Sequence, residues 1–282
     1  MAGKVVLITG ANSGIGFEAS VKIASMGAHV VMVARDRRRG DDALVAVKAR
    51  SGSDTVSLRL CDMASMAGVR ALAQDVLARH PRLDVLVNNA GSVKTSREVT
   101  EDGLEWTFAA NYLGHFLLTN LLLDRLRESA PARVVNVSSD GHRRGTIEFE
   151  NLQFERGGFS TLTAYARSKL AQVLFTRELA RRLEQTGVTV NALHPGAVAT
   201  GIWAKAAAPW YVRAPIAVAK VLFMRTPSQG GDRIVYLATS PDVEGLTGGY
   251  YDKDRLTLPS TLALDQALAR RLWDESAKLA AS

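Results

Sequence analysis

A tyrosine and a lysine four residues apart, in Tyr165-Ala166-Arg167-Ser168-Lys169, are the residues of this chain best placed to do chemistry. At that spacing the two side chains share one face of a helix. A free phenol ionises near pH 10 (about three units above neutrality), and a neighbouring ammonium draws that value down. The pair therefore predicts a general acid–base group. Ser138-Ser139 lies upstream and offers a hydroxyl to the same reacting oxygen. Hydride transfer to a carbonyl leaves charge growing on its oxygen, and donors aimed there lower the barrier. Ser139 and Tyr165 can both donate, and Tyr165 can also deliver the proton.

Such a pair needs elements to position it, and the start of the chain supplies them. Lys4-Val5-Val6-Leu7-Ile8 reads as a strand buried on both faces. It runs into Thr9-Gly10-Ala11-Asn12-Ser13-Gly14-Ile15-Gly16, after which a helical pattern begins at Phe17. Strand, glycine-rich turn and helix in that order suit a pyrophosphate at the positive end of the helix. The spacing is G-x-x-x-G-x-G, not the common G-x-G-x-x-G fingerprint. A second strand, His29 to Ala34, follows where a βαβ unit needs it. Many NAD sites carry an acid at this strand tip to bond the ribose 2′-hydroxyl. Here the tip is Ala34-Arg35, and a guanidinium matches a 2′-phosphate in charge and fork geometry. The residues thus predict NADP(H) over NAD(H), with Arg35 the main contact and Arg39 a helper. Arg37 and Arg38 decorate the start of a helix, and Asp36, one position late, leaves a ribose contact open.

With the glycine turn, Asn88-Asn89-Ala90-Gly91, Ser139 and Tyr165/Lys169 in this order, the chain resembles the short-chain dehydrogenase/reductases. The resemblance runs from about Lys4 to about Tyr251, nearly the whole length. It is most similar to the retinol-dehydrogenase-like branch, on Ala34-Arg35-Asp36, Asn111 to Phe116, Ala130 to Ser139 and His194-Pro195-Gly196. The resemblance implies an α/β fold, a single Rossmann-type doubly wound parallel sheet flanked by helices. Asp62 would then bond the adenine ring, and Asn88, Ala90 and Gly91 would close the fourth strand beside the adenosine ribose and stabilise the central sheet. Asn111 would hold a water in the proton relay, and Ser139 would bond the substrate oxygen. Tyr165 would be the acid–base residue, with Lys169 on the nicotinamide ribose. Pro195-Gly196 opens a P-G-x-x-x-T segment in which Val198 and Thr200 would contact the nicotinamide carboxamide. Gly10, Asn12, Ser13, Gly14, Ile15 and Gly16 would line the cofactor turn.

Two departures bear on the substrate side. Twenty-five residues separate Ser139 from Tyr165, more than in minimal family members, and the extra piece, Gly141 to Leu162, would lie beside the cleft. Membrane-bound retinol dehydrogenases begin with an apolar anchor, whereas this chain starts almost directly at its first strand. A substrate lid is expected over about 197–226 and a C-terminal helix over about 261–280. The lid segment, with Ile202-Trp203, Trp210-Tyr211 and Ile216 to Met224, is apolar and aromatic and suits a lipophilic substrate of retinoid, steroid or xenobiotic type. It also leaves open a contact with a membrane surface. Long apolar helices starting near Glu101 and Thr163 predict pairing into a homodimer or homotetramer.

Composition bounds the rest. Strand-like and helix-like stretches alternate through all 282 residues without linker or repeat, so one domain is expected. There is no signal peptide pattern and no apolar run of membrane-spanning length; Leu117 to Leu123 reads as a buried helix segment. Cys61 is the one cysteine, which excludes an internal disulfide, suits a reducing compartment and predicts a cytoplasmic protein. Cys61 itself reads as a small core residue. The five histidines form no ligand cluster, so no metal is expected; His115 reads as a packed helix residue and His194 as a turn residue. A net charge of +7 raises nucleic acid as a partner, yet the arginines fall in doublets such as Arg181-Arg182 and Arg270-Arg271 on helix faces. No nucleic-acid partner is predicted. The expected activity is an NADP(H)-dependent carbonyl reductase or alcohol dehydrogenase. The alternative is a dinucleotide-sensing binding protein without turnover, which would not need to keep Asn111, Ser139, Tyr165 and Lys169.

Overall fold

In the computed structural model, which describes residues 1–196 and 226–281, the aliphatic runs form one eight-stranded sheet. Its strands are β1 (Val5–Thr9), β2 (His29–Ala34), β3 (Val56–Leu60), β4 (Val85–Asn88), β5 (Ala132–Val137), β6 (Val188–His194), β7 (Tyr250–Asp252) and β8 (Arg255–Leu256). They lie in the order β3-β2-β1-β4-β5-β6-β7-β8. Alternation along each strand feeds two cores. Val5, Leu7, Val31, Val33 and Val134 point to one face, and Val6, Ile8, Val30, Met32 and Val135 to the other. Burial on both faces is what a doubly wound parallel sheet requires.

Helices α1 (Gly14–Ser25) and α2 (Arg37–Ser51) cover the second face. Helix α3 (Met66–Arg79) covers the first. The next helix is composite. Short α4 (Trp106–Phe108) passes through a π-helical turn (Ala109–Leu113) into α5 (Gly114–Leu121), and α6 (Leu123–Glu128) follows. The long α7 (Thr161–Arg182) lies on the first face, α8 (Pro227–Thr239) on the second, and α9 (Thr261–Leu264) and α10 (Gln266–Ala281) end the chain on the first.

The structure moves several expected boundaries. Helix α1 begins at Gly14, three residues before Phe17, because Ser13 is extended and serves as its N-cap. Glu101 lies in a turn; the helix starts at Trp106, where the Glu105 carboxylate accepts from Thr107 N and Phe108 N. The C-terminal helix is divided at Asp265, whose side chain accepts from Leu268 N and starts α10. His194 is not a turn residue but the last residue of β6. The sheet is parallel except at its edge, where β8 pairs antiparallel with β7. Lys253 and Asp254 both take positive φ there, the backbone of a tight primed hairpin turn.

One face offered for pairing between subunits is covered from within the chain. Trp273 of α10 packs against Phe116 of α5 (ring centroids 5.0 Å apart) and Phe175 of α7 (5.7 Å). Tyr112 Oη and Ser276 Oγ are hydrogen-bonded at 2.7 Å beneath them. Self-association through that face would have to displace α10.

At the opposite end of the sheet, buried Asp84 holds the start of β1. It accepts from Val5 N at 2.8 Å and pairs with Lys4 and Arg82. Burial alone would raise its carboxyl, but hydrogen bonds from Arg82, Lys4 and Val5 N outweigh it and leave the value below the usual range. That contribution is complete above the unfolded carboxyl value and is lost as pH falls through the lower folded one. Asp84→Ala leaves Val5 N–H and two cations without this partner, and an expected loss of about 3 kcal/mol. Denaturant unfolding checks this; a midpoint unchanged from the native protein would contradict it.

Candidate active site

The carboxyl ends of the parallel strands and the loops after them enclose a cavity of about 1100 Å³. It opens where β1 and β4 adjoin and the chain switches from one half of the sheet to the other, the place where such sheets bind ligands. One end is walled by Gly10, Asn12, Ser13, Gly14 and Ile15, and beyond them by Arg35, Arg39 and Asp62. The other end is walled by Ser139, Tyr165, Lys169, His194, Pro195 and Gly196.

At the first end the helix N-terminus is left open by its own side chain. Asp36, Ser65 and Ser160 each cap their helices with a side-chain hydrogen bond, whereas Ser13 makes none to the first turn of α1. Its N–H groups and the positive end of the helix dipole thus remain for an anion. Asp36 is engaged elsewhere: its Oδ1 accepts from Arg39 N at 2.8 Å. Arg35 lies 3.7 Å from Asp62 Oδ2 and over the Trp106 ring, with its side chain about half exposed.

At the second end α7 brings Tyr165 and Lys169 to the wall. The helix is fastened to the sheet by a buried polar ladder. Asn88 Nδ2 donates to Thr119 Oγ1 and Asn136 Oδ1, Asn136 Nδ2 donates to Thr176 Oγ1, and Thr176 donates to Gln172 O, all within 2.9 Å. Ser138 Oγ donates to Lys169 O at 2.9 Å. Ser139 is hydrogen-bonded to Tyr165 and accepts from Gly141 N at 3.1 Å. Gly141 permits this closeness, since a Cβ there would stand 3.3 Å from Tyr165 Cε1.

The electrostatics differ from the expected tuning. Burial pushes the Tyr165 phenol above its ordinary value, only partly offset by Ser139. Burial also lowers Lys169 to about 7. The Lys169 Nζ donates to Val137 O and to Gln172 Oε1, each at 2.9 Å, and lies 5.6 Å from the centroid of the Tyr165 ring. Both groups are desolvated and the lysine has only neutral partners here, so the phenol is not drawn down. A negatively charged ligand in the cavity would favour the ammonium.

The short chain dehydrogenase model matches residues 4–209. The chain belongs to that family. Human retinol dehydrogenase 14 is 45% identical, the match covering 98% of this chain and 86% of the relative. An uncharacterized protein from Mycobacterium paratuberculosis aligns in structure with a TM-score of 0.79 at 32% identity, over 100% of this chain and 94% of that one. The Pseudomonas aeruginosa RhlG/NADP active-site complex aligns with a TM-score of 0.71 at 27% identity, over 93% and 97%. This short-chain dehydrogenase is retinol-dehydrogenase-like and acts between carbonyl and alcohol groups, in a family that uses nicotinamide dinucleotides. Among the described residues no helix is long and apolar enough to cross a membrane.

In this short-chain dehydrogenase most of the expected site residues that are described line the cavity, and three of the described ones do not. Asn88 is fully buried in the ladder. Gly16 packs under the turn, where a Cβ would come within 2.4 Å of Asn89 Nδ2. Asn111 lies beneath the wall, in the π turn. Its Oδ1 accepts from Ser92 N, and its Nδ2 donates to Ser92 O and Ser168 Oγ, so its side chain organises the segment after β4. Val198, Thr200 and the lid residues up to 225 lie outside the described residues. The insert reaches the cleft through Gly141, Arg144 and Leu162. It is anchored by buried Arg167, which donates to Thr146 O, Asn151 O and Leu152 O. Two wall or support residues carried no expectation, Trp106 on the wall and Gln172 behind it, whereas Gly141 lies beside the cleft and His115 is packed in its helix as the sequence suggested. Only Gln172 had a local signal, three residues from Lys169 on the same helix face.

His115 is buried and held at about 4 by that burial. Its folded value lies below the unfolded one, so its contribution is complete above about pH 6.5 and is lost progressively as pH falls towards 4. The shift corresponds to about 3 kcal/mol. His115→Gln takes up no proton, so its Tm should be lower at neutral pH but fall less steeply between pH 6.5 and 4 (roughly that window). Equal slopes for native and variant protein in a melting series would contradict the buried neutral imidazole.

Proposed function

We propose that this protein is a cytoplasmic NADP(H)-dependent oxidoreductase that interconverts a carbonyl and an alcohol on a lipophilic small molecule of retinoid, steroid or xenobiotic type. One observation carries the reading: a single cavity has an open helix N-terminus beside Arg35 and Arg39 at one end and Ser139, Tyr165 and Lys169 at the other. The residues present fit a phosphorylated dinucleotide. Gly10, Ser13, Gly14 and Ile15 would hold the pyrophosphate at the first turn of α1. Arg35 and Arg39 would hold the 2′-phosphate, a role Asp36 does not contest because it caps α2. Asp62 would bond the adenine, and Ala90 and Gly91 would lie along the adenosine ribose. Lys169 would bond the nicotinamide ribose, and Pro195 and Gly196 would border the nicotinamide.

When bound, the nicotinamide supplies or accepts the hydride. The chain's own residues do the remaining chemistry. In the reductive direction Tyr165 donates a proton to the substrate oxygen, while Ser139 donates a hydrogen bond to the same atom. Lys169 fixes the geometry, and with a dinucleotide's negative charge nearby its ammonium is favoured and in turn lowers the Tyr165 phenol. Leu162 on the wall, with the aromatic sequence after Gly196, suits an apolar substrate. The relatives named retinol dehydrogenases point the same way.

Tyr165→Phe is expected to keep NADPH binding and to lose turnover by about 10²–10⁴ on any carbonyl that the native protein reduces. Near-native turnover would remove Tyr165 from the reaction. A native protein that binds NADPH but converts no member of a carbonyl and alcohol panel would be a dinucleotide sensor. Arg35→Ala should lower NADPH affinity about tenfold or more, the worth of a charge-assisted hydrogen bond, and leave NADH affinity nearly unchanged. Titration by nicotinamide fluorescence reads both. Equal losses for the two cofactors would make Arg35 structural, and a native preference for NADH would overturn the choice of cofactor.

A further inference from the structure

Lys169 carries three N–H donors in a buried setting, and two of them go to Val137 O and Gln172 Oε1. Gln172 is 1% exposed and lies one turn along α7. Its Nε2 donates to the main-chain oxygen of Asn111 in the π turn at 2.8 Å. Only one orientation of the amide serves both neighbours, because an ammonium must meet the oxygen and a carbonyl must meet the nitrogen. The Asn111 carbonyl also pairs with His115 Nδ1 at 3.0 Å, which places the imidazole proton on Nδ1. Its Nε2 then accepts from Thr9 Oγ1 at 2.9 Å, and Thr9 Oγ1 accepts from Asn89 N and Ala90 N. A closed chain of hydrogen bonds thus runs from the loop after β4 to the ammonium of Lys169.

We propose that Gln172 is a positioning residue of the site: it holds Lys169 Nζ against the cavity wall and closes its interior side, leaving the third N–H for a ligand in the cleft. This rests on the reading of the cavity as a dinucleotide site. The amide bridges Lys169 Nζ and the Asn111 carbonyl. In the proposed reaction Tyr165 O–H gives its proton to the substrate oxygen, and the phenolate regains one from solvent to complete the cycle. A neutral linker suits this place. It accepts from Lys169 without adding charge, and it donates to a carbonyl that a carboxylate would repel. The groups facing Lys169 are Tyr165 on its own helix, His115 of α5, which is neutral, and the uncharged β5 backbone at Val137; among the described residues no carboxylate pairs with it.

NADPH affinity of the full chain, followed by nicotinamide fluorescence across pH 6 to 9 (roughly), tests this without requiring turnover. Gln172→Met keeps the volume and removes both hydrogen bonds, so NADPH affinity should fall about tenfold. Gln172→Glu keeps an acceptor for Lys169 and adds a charge. It should restore affinity and move the pH above which binding weakens upward by about one unit or more, because the anion favours the ammonium. A residue that only fills space would show neither the rescue nor the pH shift. Circular dichroism and Tm confirm that each variant is folded, and the opposite behaviour of the two variants keeps the test decisive should one be destabilised. NADPH affinity and its pH dependence within about twofold of native in both variants would overturn the proposal. If the variants behave as expected but the native protein reduces no carbonyl, the positioning role stands and the proposed reaction fails.

Discussion

A buried ammonium surrounded by neutral oxygens is the constraint around which this molecule is arranged. Lys169 loses hydration on α7 and receives only Val137 O and Gln172 Oε1 in return, which is why its value falls to about 7. Burying such a group is tolerated only if its remaining donors are satisfied and its surroundings cannot shift. The fold supplies that rigidity. The ladder through Asn88, Asn136, Thr119 and Thr176 locks α7 to β4, β5 and α5, while Ser138 holds the helix backbone at Lys169 itself. The chemistry-bearing end of the cavity is thus a consequence of polar packing beneath it.

The two ends of the cavity are complementary in charge logic. Near β1 and β2, positive potential is exposed: the helix dipole of α1 is not answered by Ser13, and Arg35 and Arg39 stand on the wall. Near β5 and β6, charge is suppressed by burial, and both Tyr165 and Lys169 are pushed towards their neutral forms. A ligand that carries phosphates at one end and a polar, weakly charged ring at the other would suit both conditions. It would also favour the ammonium form of Lys169 beside the phenol, which burial disfavours. The expectation that Tyr165 is already drawn down in the protein fails because burial raises the phenol and Lys169, itself desolvated, does not offset it.

Much of this was legible in the sequence because it is local. The strand–glycine turn–helix unit, Arg35 at a strand tip and the Tyr165/Lys169 spacing are each set by a few neighbouring residues, and the structure places them on one cavity. What escaped is long-range. Thr9 meets His115 across 106 positions, and Gln172 meets Asn111 across 61. No local pattern announces such contacts. Asn88, expected beside the ribose and in support of the sheet, serves the sheet alone, and the Asn111 side chain, expected on a relay water, turns to Ser92 and Ser168, because a buried asparagine satisfies its amide wherever partners exist. The covering of α5 and α7 by Trp273 depends on where a C-terminal helix docks. The β8 hairpin uses Lys253-Asp254, without the glycine that usually signals its turn.

The proposed reaction turns on direct transfer of hydride between a bound nicotinamide and a substrate carbon. Reduction of an aldehyde panel that includes retinaldehyde, with NADPH deuterated at C4 in either of its two stereochemical forms, measures this directly by mass spectrometry of the alcohol. One of the two labelled cofactors should transfer its deuterium to the carbinol carbon, one per turnover, while the other transfers hydrogen. Alcohol formed without label from both cofactors, or from solvent deuterium instead, would contradict it.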